Sequence, residues 1–403
     1  MTSSVQLLAQ PGPWQQLQYL QSELGEAATD PTTWPKLGQA LRQAGHDPEL
    51  VVALVSQLQL RAEARGKFGE SAQHMLFTRA GLEQATRFQV SLLHALRYAN
   101  AGVKRVADLG CGIGSDALAL ATTGLEVLAV DRDPEALAAA AINLREFPKT
   151  QVLEADVMTM PRPEVDGVFL DPARRSHDRR LFRPEQWSPP WDKVTEIFSW
   201  GLAAGVKLAP GIDHHYLGIG SHAQWLSYDG ALVEASLWST QLAPEGPGRS
   251  ALVYHHHTID VLSEECAPDA PLTPAPVGAL EQYLFEPDPA VIRAGLLARL
   301  ADLTGTHLVH PKIAYLSGPS PTDSPYWTGF EVLAEVALRP KVVKRQLREL
   351  GAGPVEVKKR GADVDPAQLQ KQWQQKAGIP VVVFATRVGS SHRAIIARRL
   401  KGA

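Results

Sequence analysis

Apolar residues in the first 98 positions recur at helical spacing, and no alternating run interrupts them. Trp34-Pro35 opens one such segment. Asp47-Pro48-Glu49 opens another that continues through Leu50, Val51, Leu54 and Leu58, with a proline-led start that suits a first helical turn. At Lys104 the pattern changes to short apolar runs alternating with helical stretches. Strands are predicted over 106–108, 127–131, 151–156, 166–171 and 205–209, and helices over 115–123, 134–144 and 191–200. This rhythm implies a parallel sheet wrapped by helices, with ligands at the carboxyl ends of the strands. Runs at 223–226 and 232–238, separated by Tyr228-Asp229-Gly230, read as an antiparallel hairpin that finishes the sheet.

Proline and alanine recur through 264–278, which reads as a connector. A helix is predicted over 288–303, and a loop over 317–325, which holds Pro319, Pro321 and Pro325. The last stretch alternates again. Strands are predicted at 330–338, 355–359, 381–387 and 393–397, with helices at 340–350 and 365–376 between them. The chain therefore divides into a helical region (1–98), an α/β core (99–263), a connector (264–325) and a small α+β module (326–403).

The predicted first strand ends in Asp108, and glycines follow at every second position: Gly110, Gly112 and Gly114. Such a turn exposes backbone N–H groups at a helix start and lets a ligand approach bare backbone. A dinucleotide fingerprint would need glycine where Ser115 stands, and no Gly-Lys-Ser/Thr phosphate loop is present. An acid beside the turn suits a cationic ligand without phosphates. S-adenosylmethionine carries an ammonium and a sulfonium, and its ribose and adenine need acceptors. Asp131, ending the second strand, is placed to accept from the ribose hydroxyls. Asp156, ending the third, is placed near the adenine amine. Asp171-Pro172, ending the fourth, lies where the methyl group would leave.

Only two cysteines occur, Cys111 and Cys266. Neither lies near the fourth strand end, which disfavours methylation of a pyrimidine carbon through a cysteine nucleophile. No leader or membrane-spanning run is read from the chain, and a cytoplasmic protein is expected. His255-His256-His257 would put two imidazoles on one face of a strand, but no third ligand is spaced for zinc. No metal is expected there or at His214-His215. Net charge is −3 and unevenly spread. From Pro311 onward sixteen Lys/Arg face seven Asp/Glu, a surplus of nine positive charges that leaves −12 on the rest. A basic module on an acidic body fits a polyanionic partner.

These motifs resemble the class I S-adenosylmethionine-dependent methyltransferases, through Asp108-Leu-Gly-Cys-Gly-Ile-Gly114, Val130-Asp131-Arg-Asp-Pro134, Ala155-Asp156 and Phe169-Leu-Asp-Pro-Ala-Arg174. The resemblance implies a Rossmann-like core. The stretch Phe77-Thr-Arg-Ala-Gly-Leu-Glu-Gln-Ala-Thr-Arg87 is similar to the segment preceding the donor site in a subset of RNA methyltransferases. It implies donor contacts from Thr78 and Arg87 and substrate contacts from Phe77 and Arg79. The last module, with Val357-Lys-Lys-Arg-Gly361 and Thr386-Arg387, is similar to THUMP-like domains, and implies RNA contacts from Lys358, Lys359, Arg360 and Arg387. Arg345, Arg348, Arg393, Arg398 and Arg399 join them as candidates to track phosphates.

Amino-methyltransferases of this kind carry Asp/Asn-Pro-Pro-aromatic, whereas this chain has Asp171-Pro172-Ala173-Arg174-Arg175. Asp171 and Pro172 are kept, and Arg174 is expected at the reacting site to stack on a base or grip a phosphate. Arg175, Arg179 and Arg180 border it, and Phe77 or Phe182 is the candidate ring. The expected function is direct methyl transfer to a nitrogen of a structured RNA. A small-molecule or protein methyltransferase, and an RNA-binding scaffold, are the alternatives.

Overall fold

The computed structural model describes residues 3–173, 175–176, 179–181, 183–375 and 377–400, which form two compact units. The first unit comprises residues 1–208 and 238–244. It opens with helices α1 (Ser4–Leu8), α2 (Pro11–Leu24), α3 (Thr33–Gln43), α4 (Pro48–Phe68), α5 (Arg79–Gln84) and α6 (Phe88–Asn100). The long helix α4 starts where the proline-led pattern places it. The Asp47 carboxylate accepts from the N–H groups of Glu49 and Leu50, at 2.9 and 3.1 Å, and caps the otherwise orphaned donors. Val51, Leu54, Leu58 and Phe68 of α4 are buried in the unit's core.

The alternating part follows as β1 (Arg105–Leu109), α7 (Ser115–Thr122), β2 (Glu126–Asp131), α8 (Pro134–Asn143), β3 (Thr150–Glu154) and β4 (Gly167–Leu170). Then come the two-residue strands β5 (Arg175–Ser176) and β6 (Arg179–Arg180), helix α9 (Trp191–Phe198) and β7 (Ala203–Leu208). Five of these strands lie parallel in the order β3-β2-β1-β4-β7. Strand order reverses between β1 and β4, and a crevice opens at the carboxyl ends on either side of such a switch point. The glycine turn follows β1 and Asp171 follows β4, so both sit there.

The second unit comprises residues 209–237 and 245–403. Strands β8 (His222–Tyr228), β9 (Ala231–Trp238), β10 (Gly248–His255) and β11 (Thr258–Glu265) run in the order β11-β10-β8-β9. The predicted β8–β9 turn has Asp229 at φ 47° and Gly230 at φ 75°, which matches the right-handed strand twist. Two further strands extend this group, so the hairpin does not finish it. His255 and Thr258 close the β10–β11 ladder, which makes His256 and His257 a two-residue turn rather than strand residues. Both take positive φ, 45° and 67°, as that turn requires.

A seven-stranded sheet follows, ordered β13-β14-β12-β15-β18-β17-β16. Its elements are β12 (Tyr283–Pro287), α10 (Pro289–Arg293), α11 (Leu297–Thr304), β13 (His307–His310), β14 (Ile313–Gly318) and β15 (Trp327–Ala337). They continue as α12 (Pro340–Glu349), β16 (Ala352–Lys359), α13 (Pro366–Trp373), β17 (Ile379–Val388) and β18 (Ser391–Arg399). The helix predicted over 288–303 is two helices, because Gly295 at φ 74° breaks the run. The four strands and two helices predicted for the last module are all present.

Candidate active site

Gly110 leaves β1 at φ 92°, and Gly114 enters α7 at φ 80°. A Cβ on Gly114 would lie 3.3 Å from the Ala140 methyl carbon and 3.4 Å from Leu144, so glycine lets the turn close on α8. The Gly112 N–H donates to Asp131 Oδ2 at 2.8 Å. The other Asp131 oxygen accepts from the N–H groups of Arg132 and Asp133, at 2.7 and 3.0 Å. Asp131 is thereby locked beside the turn. Asp156 follows β3, and its Oδ1 accepts from Met158 N–H at 2.9 Å. Asp108, Asp131, Asp156, Asp171, Pro172 and the glycines Gly110 and Gly112 line one cavity of about 460 Å³. Gly114 shapes the turn from behind.

Thr78 and residues of α5 form a second wall, and the buried segment 75–77 leads into it. Gln57 donates to the Phe77 carbonyl at 2.6 Å and accepts from its N–H at 3.1 Å. Asn143 does the same for Leu76, at 3.0 and 2.7 Å, and donates to the Ile113 carbonyl of the glycine turn at 2.9 Å. Two buried amides thus tie this segment to α4, to α8 and to the turn. Thr78 lines the cavity and caps α5 by accepting from Gly81 N–H at 2.8 Å. Lys67 closes the other end of α5, donating to the carbonyls of Leu82, Glu83 and Ala85 at 2.7–2.9 Å. Burial, with the charges of Arg87 and Lys207, pulls its ammonium down to about 8.

Three expected contacts from this segment stand elsewhere. Phe77 is fully buried, with its ring 5.6 Å from that of Phe68, so it offers no face to a base. Arg87 does not line the cavity and donates to the Gly66 carbonyl at 2.6 Å. Arg79 pairs with Glu63 on the surface. Arg174 and Phe182 lie outside the described residues, as do the side chains of Arg175, Arg179 and Arg180.

The electrostatics centre on two buried acids with opposite fates. Asp108 is 1% exposed. Burial, with the nearby charges of Asp116 and Asp171, raises its carboxyl well above the ordinary range, and its Oδ2 has no hydrogen-bond partner among the described residues. Burial pushes Asp116 up as well, but the hydrogen bond from His94 and the charge of Lys207 outweigh it and bring the carboxyl to about 2. Asp171 forms an ion pair with Lys207, whose ammonium also donates to Thr86 Oγ1 at 2.8 Å. Thr86 donates to Asp116 Oδ2 at 3.0 Å, and His94 Nδ1 lies 3.1 Å from Asp116 Oδ1. Sequence reading missed Lys207, Thr86, Asp116 and His94. The available signal was a lone lysine in the apolar run Ala203-Ala-Gly-Val-Lys207-Leu208, every residue of which is buried.

In the C-terminal module the structure separates the expected cations into two groups. Lys358 pairs with Glu286 and lies 3.8 Å from Glu356, while Lys359 donates to the Val364 carbonyl at 2.8 Å. Arg360 donates to the Ala314 carbonyl at 2.6 Å and stacks 4.8 Å above the Tyr315 ring. Arg393, Arg398 and Arg399 pair with Glu335, Glu331 and Glu356. Arg387 is half-buried, and its Nε has no partner. On and beside α12, Arg345 lies 3.7 Å from Glu349, whereas Arg339, Lys341, Lys344 and Arg348 make no ion pair among the described residues.

A family model described as a methyltransferase domain matches residues 106–180, and one described as THUMP domain-like matches 327–399. A Mycobacterium tuberculosis protein, described as an S-adenosylmethionine-dependent methyltransferase in two strains, is 33% identical over 346 residues. The match covers 84% of this chain and 93% of that protein. A crystal structure of a candidate methyltransferase from Porphyromonas gingivalis shares the fold at TM-score 0.69 and 18% identity, covering 88% of this chain and 92% of the other. A 23S rRNA uracil carbon-5 methyltransferase of Shewanella woodyi is 38% identical over 91 residues, 21% of this chain and 20% of its own. With its acid-lined glycine turn at the switch point and a relative matched over nearly its full length, the chain belongs to the S-adenosylmethionine-dependent methyltransferases and carries a THUMP-like domain at its C-terminal end.

Proposed function

We propose that this enzyme methylates a base nitrogen of a structured RNA by direct transfer. The observation that carries the reading is Asp171-Pro172 at the end of β4, lining the same cavity as the glycine turn. An acid and a backbone carbonyl at that place can accept the hydrogens of an amine and aim its lone pair. Bound S-adenosylmethionine supplies a methyl group on a positively charged sulfur. The unpartnered Asp108 Oδ2 suits the donor's ammonium, since a buried acceptor without a partner is costly until a ligand satisfies it. The opened glycine turn leaves room for the donor's methionine part, with Asp131 toward the ribose and Asp156 toward the adenine.

Asp171 would accept the hydrogens of the acceptor nitrogen and hold its lone pair toward that methyl group, and the proton the nitrogen gives up would pass to Asp171 or to solvent. A covalent route through cysteine has no support. Cys111 is buried in the turn, and burial, with the charges of Asp108 and Asp131, pushes its thiol well above the ordinary range and away from the reactive thiolate. Cys266 does not line the cavity either, so this reading takes no carbon-5 chemistry from the short match.

In this reading residues 99–263 hold the donor and the basic residues of 326–403 hold RNA phosphates, chiefly Arg339 just before α12 and Lys341, Lys344 and Arg348 on it. The test is incubation with labelled S-adenosylmethionine and total RNA from cells lacking the gene, followed by mapping of the labelled nucleoside. Label in one RNA nucleoside is expected, and Asp171→Ala should abolish it while leaving donor binding in place. Label confined to a small-molecule or protein fraction overturns the reading.

A further inference from the structure

The β4–β7 register sets a cation against the acid that faces the acceptor. Leu170 pairs with Val206, so Asp171, the first residue past β4, comes beside Lys207, the next-to-last residue of β7, and the two form an ion pair at the carboxyl edge. Lys207 is 5% exposed, and its ammonium is also held by Thr86, which in turn is held by Asp116 and His94. All four of these side chains are buried. Asp171 is the member that keeps surface, with 27% of its side chain exposed. A buried lysine so anchored has little freedom, and it passes that restriction to the Asp171 carboxylate at the cavity wall.

We propose that Lys207 is a positioning residue for methyl transfer: through its ion pair it holds the Asp171 carboxylate in one orientation, as an acceptor for the hydrogens of the substrate amine. This rests on the base-nitrogen reading above. The need for it follows from the neighbours. Asp108 at the end of β1, Asp116 on α7, Asp131 at the end of β2 and Asp156 after β3 crowd acids around one cavity, which Glu83, Arg132 and Asp133 also line. His94 on α6 and Lys67 on α4 are further titratable groups nearby. Without the ammonium, mutual repulsion would favour a protonated Asp171, and an O–H there donates where the amine needs an acceptor.

The test is a double-mutant cycle on the full chain with Lys207→Met, Asp171→Asn and the pair together, with Lys207→Arg as the conservative variant. Because Lys207 acts through Asp171, Lys207→Met should lower transfer about a hundredfold and cost nothing further once Asp171 is already Asn. Donor affinity, measured by calorimetry, should fall far less than transfer does in all four variants, by no more than about tenfold, since Lys207 reaches the donor only through its charge on Asp108. Lys207→Arg should restore most of the transfer. Selective carbon-13 labelling of aspartate gives a readout independent of turnover: the Asp171 carboxyl should titrate about one unit or more higher in Lys207→Met than in wild type. Additive losses in the cycle, or an Asp171 midpoint that does not move, overturn the proposal. If Lys207→Met fails to fold, the charge-neutral double variant and Lys207→Arg carry the test. If wild type labels no RNA, the base-nitrogen reading fails, while the carboxyl titration still decides whether Lys207 sets the state of Asp171.

Discussion

Asp108 and Asp116 lie eight positions apart, both buried, yet they load the protein in opposite directions. The folded state raises Asp108 above its ordinary 3.8, so its protonated form favours folding. That contribution is present below about pH 4 and is lost as pH rises toward the raised value. Asp116 is lowered to about 2, so its contribution is present above about pH 4 and disappears as pH falls through 2. Replacing Asp108 by Asn should therefore stabilise the ligand-free protein, by about 2–4 °C in melting temperature near pH 8 and by less near pH 4. The same change should weaken donor binding about tenfold or more by calorimetry, because a charge-assisted partner for the donor's ammonium is lost. A melting temperature that falls on substitution would mean that Asp108 is held for structure. Asp108, Asp131, Asp156 and Asp171 were legible because each closes a short apolar run, a purely local pattern. Lys207 was not, since its partner Thr86 lies 121 positions away and nothing local announces the pairing.

At the scale of elements, the approach of α5 to the glycine turn is the tightest joint in the site. A Cβ on Gly81 would fall 2.3 Å from Ile113 Cγ2 and 2.6 Å from Thr78 Oγ1, the atom that caps α5. Gly81→Ala must then push Ile113 out of the turn or break the cap. Overpacking of this kind costs about 1–3 kcal/mol, so a loss of roughly 2–6 °C in melting temperature is expected. Donor affinity should fall with it, whereas Gly66→Ala, which meets open space on α4, should do neither. Unchanged donor binding in Gly81→Ala would show that the turn relaxes without it. The resemblance around residues 77–87 marked this stretch, but periodicity alone gave no contact between α5 and the turn. Strands β15 to β18 were read within about three residues at each end, whereas for α4 the start was legible and the run beyond Leu58 to Phe68 was not. Strands β12, β13 and β14 were missed because they are four to six residues long and set among prolines. Helix 288–303 reads as continuous because an isolated glycine in a helical pattern is tolerated at a cost of about 1 kcal/mol, and nothing local shows that Gly295 ends the first helix.

Over the whole chain, the surplus of nine positive charges after Pro311 suggested a polyanion partner, but charge counted along a sequence does not say which charges are available. Carboxylates from β12, β15 and β16 neutralise Lys358, Arg393, Arg398 and Arg399, and a carbonyl and an aromatic ring hold Arg360. A pair formed inside the protein must be given up before phosphate can replace the acid, so those cations add little to binding. On α12, Val343 and Leu347 face the core, and Lys341, Lys344 and Arg348 are left toward solvent without an acid. Counterion release makes the two groups separable by salt. Each phosphate neutralised contributes about 0.7 (single strand) to 0.9 (duplex) to the slope of log affinity against log salt, so Lys341→Gln, Lys344→Gln and Arg348→Gln together should flatten that slope by about 2–3. The matching triple at Lys358, Lys359 and Arg360 should leave the slope nearly unchanged, although it removes the same formal charge. Equal slopes for the two triples in filter binding or anisotropy titrations, across about 50–200 mM salt, would mean that net charge alone governs the attraction. In that case α12 is a solvated helix, and the RNA is held elsewhere on the chain.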